Sequence, residues 1–229
     1  MERVADKNIL GFWPIPELLK MFAWPAIISM LASSLYNIID QIFIGHAVGY
    51  LGIAATTIAF PLVTIVMSMG SLVGVGGSAF AAIKLGEGKF KEAQQILNTV
   101  AVISFVVSMI LVVIGNIFLE PMLTVFGATE ATMPYSKQFG GVMVCIIPLT
   151  THLIAMSNMA RTDGSPRLAM RALVGGVLIN AVLAPIFIFS FHWQVLGAAL
   201  ATACAQIFSC AVFVWYFTQR SKMRLNKED

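Results

Sequence analysis

Charged side chains are scarce in this 229-residue sequence, and their scarcity excludes most soluble proteins. Asp, Glu, Lys and Arg make up 11% of the residues, whereas 59% are hydrophobic. About a quarter of the residues of a soluble domain are charged, and the mean hydropathy of this chain is +0.87. The composition therefore indicates an integral membrane protein.

Cysteines are few, and the common catalytic motifs are missing. Cys145, Cys204 and Cys210 lie in apolar segments without the spacing of a disulfide framework or a metal site. The sequence contains no HExxH and no GxSxG, and the GVGG at 74–77 lacks the Lys that follows in a phosphate-binding loop. We therefore expect neither an enzyme nor a cofactor.

Six long apolar segments predict six transmembrane helices, because a bilayer core requires about 20 residues per helix. The segments cover approximately 14–44, 51–82, 94–118, 135–159, 168–189 and 196–217. They are much longer than the strands of a membrane barrel, which have about ten residues, so we predict an all-α integral membrane fold. Turns are expected at 45–49, 84–92, 161–167 and 190–195, with a polar connection at 120–134. Pro61 and the glycines that follow it predict a bend in the second segment.

The basic residues predict the orientation of the chain in the membrane. One side receives 13 of the 14 Lys and Arg residues, and the other side has only Lys137. The 13 are Arg3, Lys7, Lys20, Lys84, Lys89, Lys91, Arg161, Arg167, Arg171, Arg220, Lys222, Arg224 and Lys227. Since short cytoplasmic loops carry the excess of Lys and Arg, both termini are expected to be cytoplasmic. Residues 1–13 then form a cytoplasmic segment and 218–229 a basic tail.

One acid, Asp40, lies inside the first apolar segment, near its external end. On a helix, Ser33, Tyr36 and Asn37 share a face with Asp40. The opposite face is apolar and consists of Leu31, Leu35, Ile38, Ile42 and Phe43. An ionisable residue at membrane depth is costly and by default marks function, so Asp40 is a candidate site for a proton or for an exchanged cation. The alternative is a polar cluster that only joins two helices, although an Asn or Ser would suffice for that.

Other polar residues at membrane depth have two interpretations. Asn180, in the middle of the fifth segment, either hydrogen bonds across helices or presents its carbonyl to a cation. Pro185 is expected to kink that helix, and Thr202 and Gln206 form a small polar face one turn long. His152 is better explained by a structural hydrogen bond than by a proton relay. Gly70, Gly74, Gly76, Gly77, Gly175 and Gly176 predict close helix packing.

Several stretches, taken together and in order, resemble a known family. They are LYNIIDQIFIGHAVG at 35–49, IAFPL at 58–62, KLGEGKFKEA at 84–93, RTDGSPR at 161–167, INAVLAPIFIF at 179–189 and LGAALATACAQ at 196–206. They resemble the N-terminal lobe of the multidrug and toxic compound extrusion (MATE) transporters. The resemblance covers nearly the whole chain, with 14–217 as a six-helix transmembrane lobe.

The resemblance implies one lobe of a twelve-helix transporter that exports drugs or other organic cations in exchange for protons or sodium ions. It also implies the residues of a cation or proton site, which are Asp40, Asn180, Tyr36, Asn158 and Thr202. Many members have an Asp where this chain has Ala184. With one carboxylate instead of two, protonation of Asp40 or weak sodium binding at Asp40 and Asn180 is favoured over tight sodium binding.

The resemblance implies partners as well. The chain reaches what resembles the linker between lobes at 218–229, so the second lobe would lie in a longer chain or in a second copy. Organic cations, amphipathic molecules and the lipid bilayer of a bacterial inner membrane are the other expected partners, and nucleic acid is not. Two alternatives stay open: a non-transporting membrane subunit or truncated gene product, and a lipid-linked sugar flippase. The flippase is disfavoured because the apolar segments hold almost no basic residues to grip a pyrophosphate.

Overall fold

The fold is a bundle of long helices. The structure is a computed structural model that describes residues 14–219, 221 and 223. The predicted cytoplasmic segment 1–13 and the other residues of the predicted tail lie outside the described residues. The helices are α1 (Ile15–Val48), α2 (Tyr50–Gly86), α3 (Phe90–Val125), α4 (Met133–Cys145), α5 (Ile147–Thr162), α6 (Pro166–Pro185), a π-helical turn (Ile186–Ser190) and α7 (Gln194–Gln219). The described part of the chain contains no β-strand.

The number of apolar spans agrees with the sequence. Five helices of the described chain are long and apolar enough to cross a membrane, and α4 with α5 make a sixth if the pair counts as one span. Helices are the expected solution, since each backbone N–H and C=O in lipid must be satisfied within the protein. The predicted all-α membrane fold is confirmed.

The fourth span is broken, which the sequence interpretation missed. Its two parts, α4 and α5, meet at Ile146 with a bend of 52°. Pro148 lies at the start of α5 and has no N–H to offer the carbonyl of Val144, one turn earlier. Its ring also crowds that carbonyl, so a straight helix through this point is unfavourable. The proline in the segment was the signal for the break.

Each predicted connection is shorter in the structure than expected, and the loop at 84–92 is reduced to 87–89. The helix α1 continues to Val48, and the turn is confined to Gly49, whose φ of 75° lies in the region that glycine adopts without steric cost. Similarly, α3 continues through Pro121 to Val125, so the polar connection begins at Phe126 instead of Glu120. Helix α2 runs without interruption through Pro61.

The end of the fifth span changes its helix type at Pro185. The α-helix gives way to the π-helical turn Ile186–Ser190, because Pro185 cannot donate a hydrogen bond to the carbonyl one turn earlier. Sequence reasoning placed a kink at this proline. The structure places a wider turn directly after it, whose Ile188 is buried, and the kink itself stays a prediction.

Small residues set the distances between helices. Helix α2 packs against α5, α6 against α7, and α1 against α6. A Cβ at Gly74 would lie 2.9 Å from the Cα of Ala155 on α5, and one at Gly176 would collide with Ser209 on α7. The predicted packing role of these two glycines is confirmed, but the prediction is wrong for Gly76, since a Cβ added there meets no heavy atom of another element within 4 Å. The apolar side of α1 is exposed, with Leu31, Leu35, Ile38 and Ile42 between 50% and 59% accessible, as a lipid-facing surface requires.

Candidate cation site

A cavity of about 220 Å³ lies between α1 and α6. Most of its walls are apolar, and its polar residues are Tyr36, Asp40 and Asn180. The apolar residues are Ala32, Leu35, Ile39, Phe43, Val174, Val177, Leu178, Ala181 and Ala184. A small, mostly apolar cavity with a few convergent polar groups is the usual form of a binding site for a small ligand.

Three polar side chains from three helices are hydrogen bonded beside this cavity. Tyr36 Oη of α1 lies 2.9 Å from Thr202 Oγ1 of α7. Asn180 Nδ2 of α6 donates to Thr202 Oγ1 at 3.1 Å and to Tyr36 Oη at 3.4 Å. Thr202 also donates to the carbonyl of Ala198 on its own helix. The sequence predicted these three residues for one site, and the structure brings them together.

Asp40 lies one turn along α1 from Tyr36 and faces the same cavity. It is 8% exposed, and its buried Oδ1 has no hydrogen-bond partner in the part of the chain that the structure describes. A buried carboxylate without a partner costs several kcal/mol, and proteins avoid that cost by pairing or neutralising the group. The carboxylate of Asp40 is therefore suited to take up a proton or a small cation.

The atoms at this site that could coordinate a cation are oxygens. The Asp40 carboxylate, the two hydroxyl oxygens and the Asn180 carbonyl are ligands of the kind that hard cations prefer. Ala184, 1% exposed, stands in the cavity wall where a second acid would supply another charge. The described residues contain no cluster of three or more His, Cys, Asp or Glu that would hold a metal ion. Among the described residues that line the cavity, Asp40 alone carries a formal negative charge.

Asn158, the fifth predicted site residue, lies elsewhere. Its Nδ2 donates to the carbonyl of Ile154 at 2.9 Å on its own helix α5. The amide lies against α2, where a Cβ added at Gly74 would be 3.0 Å from it. Within the described chain Asn158 shares no hydrogen bond with Tyr36, Asn180 or Thr202, so its participation in the site stays a prediction.

The polar face predicted for α1 divides into two. Tyr36 and Asp40 point into the cavity, whereas Asn37 is exposed and donates to the carbonyl of Ser33. Neighbouring helical residues differ by about 100° around the axis, and Asn37 is not among the residues that line this cavity. It lies on a second, open groove between α1 and α2, together with Gln41 and His46.

Other polar contacts between helices were missed by the sequence analysis or anticipated only in part. Gln41 and Thr56 are hydrogen bonded between α1 and α2, at 3.2 Å from Nε2 to Oγ1. Thr150 donates to Gln206 Oε1 at 2.8 Å and thereby connects α5 to α7. His152 Nδ1 lies 3.2 Å from Ser104 Oγ of α3, which is the structural hydrogen bond that the sequence favoured.

Known proteins similar to this chain are membrane transporters. The family model MatE matches residues 25–186. The multidrug export protein MepA of Staphylococcus haemolyticus is 28% identical over 201 residues, which are 88% of this chain and 44% of that protein. MepA of Staphylococcus aureus, strain MRSA252, is 26% identical over 208 residues, 91% of this chain and 46% of that protein.

Solved structures share the fold. The MATE multidrug transporter DinF-BH, determined in complex with a dye, superposes with a TM-score of 0.91 at 32% identity, over 100% of this chain and 51% of that one. A MOP superfamily transporter from Pyrococcus furiosus superposes with a TM-score of 0.92 over 100% of this chain and 51% of that one. At 20% identity the latter supports the fold alone.

The chain spans about half the length of the curated relatives it matches. The match to the family model nevertheless covers most of the described helices, from α1 through α6. Together with the apolar spans and the polar cluster beside the cavity, it shows that this chain is a multi-pass membrane protein belonging to the MatE family of transporters.

Proposed function

We propose that this chain forms the N-terminal lobe of a secondary active transporter that exports drugs or other organic cations. The observation that carries the proposal is Asp40, a buried acid whose Oδ1 has no hydrogen bond among the described residues, at the wall of the cavity between α1 and α6. Membership in a family of multidrug transporters supports export as the direction of transport, and drugs or organic cations as the type of substrate. Such a protein performs transport and not catalysis.

Asp40 is the proposed coupling site, with Tyr36, Asn180 and Thr202 around it. Binding of a proton or cation neutralises the carboxylate, and the helices around the cavity can then repack at lower cost. The export of substrate would follow from this change. Because Ala184 leaves a single acid in the cavity wall, a proton is the favoured coupling ion, and a weakly held sodium ion is the alternative.

The proposed orientation places the basic connections 84–92 and 161–167 in the cytoplasm of a bacterial cell, with the chain in its inner membrane. The excess of Lys and Arg in these connections supports that orientation. Asp40 then lies nearer the external face, since it precedes the turn at Gly49 by nine residues. A coupling ion would therefore reach it from outside.

The proposed transporter needs a second lobe, in the same polypeptide or in a second copy of this chain. Relatives about twice as long support the first arrangement. Intact mass of the protein extracted from its native membrane separates the two. A mass near twice 24.8 kDa would place the second lobe in the same chain, whereas 24.8 kDa would require a dimer or the absence of transport.

Efflux of a fluorescent organic cation from drug-sensitive bacteria tests the proposal. We expect Asp40→Asn to reduce the rate of efflux about tenfold or more. A tenfold reduction corresponds to an increase of about 1.4 kcal/mol in the activation free energy of transport. The matched control is Glu120→Gln, which neutralises an exposed acid paired with Lys137 at 2.7 Å and should leave efflux unchanged. Undiminished efflux in Asp40→Asn would refute the coupling role of Asp40.

The same assay distinguishes a proton from a sodium ion as the coupling ion, and it distinguishes a transporter from a non-transporting subunit. Collapse of the proton gradient should abolish efflux, whereas removal of external sodium should abolish it only if sodium is the coupling ion. A non-transporting membrane subunit would show no efflux with the native protein under any gradient. It would also bind neither dye nor cation after purification.

A further inference from the structure

A second buried acid, Asp163, lies far from the cavity in the turn between α5 and α6. It is 7% exposed. The turn is short and well defined: the N–H of Asp163 donates to the carbonyl of Met159, and the N–H of Ser165 donates to that of Ala160. The turn belongs to the end of the bundle that also carries the loop 84–92, which we call the basic end.

Two hydroxyl groups from the C-terminal side of the chain converge on this acid. Tyr216 Oη of α7 donates to Asp163 Oδ2 at 2.5 Å and lies 2.7 Å from Ser165 Oγ. Ser221 Oγ, beyond the end of α7, donates to the same Oδ2 at 2.8 Å. Hydrogen bonds to an ionised acceptor are shorter and about twice as strong as neutral ones.

The chain after α7 is held at two further points. The N–H of Ser221 donates to the carbonyl of Tyr216 at 3.0 Å, and Ser221 Oγ accepts a hydrogen bond from the N–H of Met223 at 2.9 Å. Ser221 and Met223 are thus held against the bundle. A freely moving linker would not be expected to hold these contacts.

Met223 completes the attachment through apolar contact. It is 0% exposed and belongs to a hydrophobic cluster to which α2, α3, α5, α6 and α7 all contribute. Members from these helices include Ala81, Leu97, Met159, Ala169, Phe213 and Phe217. Burial of a Met side chain contributes about 1.5–3 kcal/mol, so residue 223 is part of the packing of the basic end.

We propose that Asp163 anchors the chain after α7 to the basic end of the bundle. The anchor, formed by Asp163, Tyr216, Ser221 and Met223, makes Ser221 and Met223 move with the six-span bundle as one body. This assignment depends only on the contacts above. One consequence rests on the proposed function: in a two-lobe transporter, Ser221 and Met223 would belong to this lobe, although the sequence places them in the tail or linker at 218–229.

Hydrogen exchange of the whole protein in lipid nanodiscs tests the anchor. The variant Ser221→Ala removes a donor to Asp163 and the acceptor for the N–H of Met223. We expect the amides of Ser221 and Met223 to exchange about tenfold faster, a factor that corresponds to about 1.4 kcal/mol in the free energy of opening. Thr218→Ala is the matched control, because Thr218 is exposed and hydrogen bonds only within its own helix; it should leave the exchange unchanged.

Asp163→Ala removes both hydroxyl contacts and should accelerate exchange further than Ser221→Ala. If Asp163→Ala does not fold, Ser221→Ala decides the question, because it changes a single hydroxyl near the end of the described chain. Exchange as slow in Ser221→Ala as in the native protein would overturn the anchor.

Efflux measurements test the mechanical consequence separately. Ser221→Ala is expected to reduce dye efflux relative to Thr218→Ala, since a loosened connection transmits the motion of the bundle less directly. Unchanged efflux together with accelerated exchange would refute that consequence and leave the anchor in place. An absence of efflux in the native protein would refute the proposed function, and the exchange data would still decide the anchor.

Discussion

Tyr36 and Thr202 are 166 residues apart in the chain, yet their hydroxyl oxygens lie 2.9 Å apart and connect α1 to α7. Asn180 of α6 donates to both oxygens. The three helices therefore meet in one hydrogen-bonded cluster next to Asp40. Any movement of α1 away from α6 and α7 must break these bonds, so the cluster links the environment of the acid to the packing of the spans.

The cluster should show energetic coupling between its members. Tyr36→Phe and Thr202→Val each leave buried polar partners unsatisfied, and each is expected to lower the free energy of unfolding by about 1–3 kcal/mol. The double variant should lose less than the sum of the single losses, by about 0.5 kcal/mol or more. Thermal or denaturant unfolding in detergent measures the stability of the two single variants and of the double variant.

Thr57→Val is the control for this cycle, because Thr57 is exposed and hydrogen bonds only to the carbonyl of Ile53 in its own helix. It should show no coupling with Tyr36→Phe. Strict additivity of Tyr36→Phe and Thr202→Val would contradict a shared cluster.

A second acid in the cavity wall should strengthen cation binding. Ala184→Asp places another carboxylate in the wall that already holds Asp40, and two acids with the nearby oxygen ligands attract a sodium ion more strongly than one. We expect the unfolding midpoint of this variant to rise with sodium concentration, since a ligand that binds only the folded state stabilises it.

The control is Ala184→Asn, because the Asn side chain is similar in size to that of Asp but carries no charge. Its midpoint, like that of the native protein, should depend less on sodium. Choline chloride at equal concentration corrects for ionic strength. Equal sodium dependence in the native protein and both variants would contradict the expected second ligand.

Two neighbouring glycines of α2 should respond in opposite directions to an added methyl group. A Cβ at Gly74 would lie 2.9 Å from the Cα of Ala155, a backbone atom that cannot turn aside. We expect Gly74→Ala to lower stability by about 1–3 kcal/mol, the usual cost of overpacking. Unfolding of the purified protein measures the change.

Gly76→Ala is the matched substitution on the same helix. A Cβ at Gly76 has no heavy atom of another element within 4 Å, and alanine favours the helix over glycine by about 0.5–1 kcal/mol. This variant should be equal in stability to the native protein or more stable. A loss as large as that of Gly74→Ala would show that contact with α5 does not determine the effect.

Hydropathy predicted the spans because a lipid environment leaves few alternatives. An apolar segment of about 20 residues or more in a bilayer becomes a helix, since each backbone polar group needs a partner within the segment. The predicted spans therefore agree with the helices in place and order. The ends were less accurate: α1 and α3 extend beyond the expected turns, because a helix can continue past the apolar core into the interface.

The sequence also indicated which polar residues belong together, but it did not assign their contacts. Tyr36 and Asp40 share a helical face, and this relation follows from the period of the helix. Asn37, expected on that face, turns away into the groove between α1 and α2. Asn158 bonds within α5 instead of joining the cluster, because the positions of other helices decide what a side chain can reach.

The sequence by itself determined the membrane environment, the helical spans and the presence of one acid at membrane depth. Each of these depends on composition or on local periodicity, which the lipid solvent makes decisive. Only the tertiary structure decided that Tyr36, Asn180 and Thr202 share hydrogen bonds beside Asp40, and that Ser221 and Met223 fold back onto the bundle beside Asp163. Those contacts join residues from distant parts of the chain, and their geometry depends on how the helices pack.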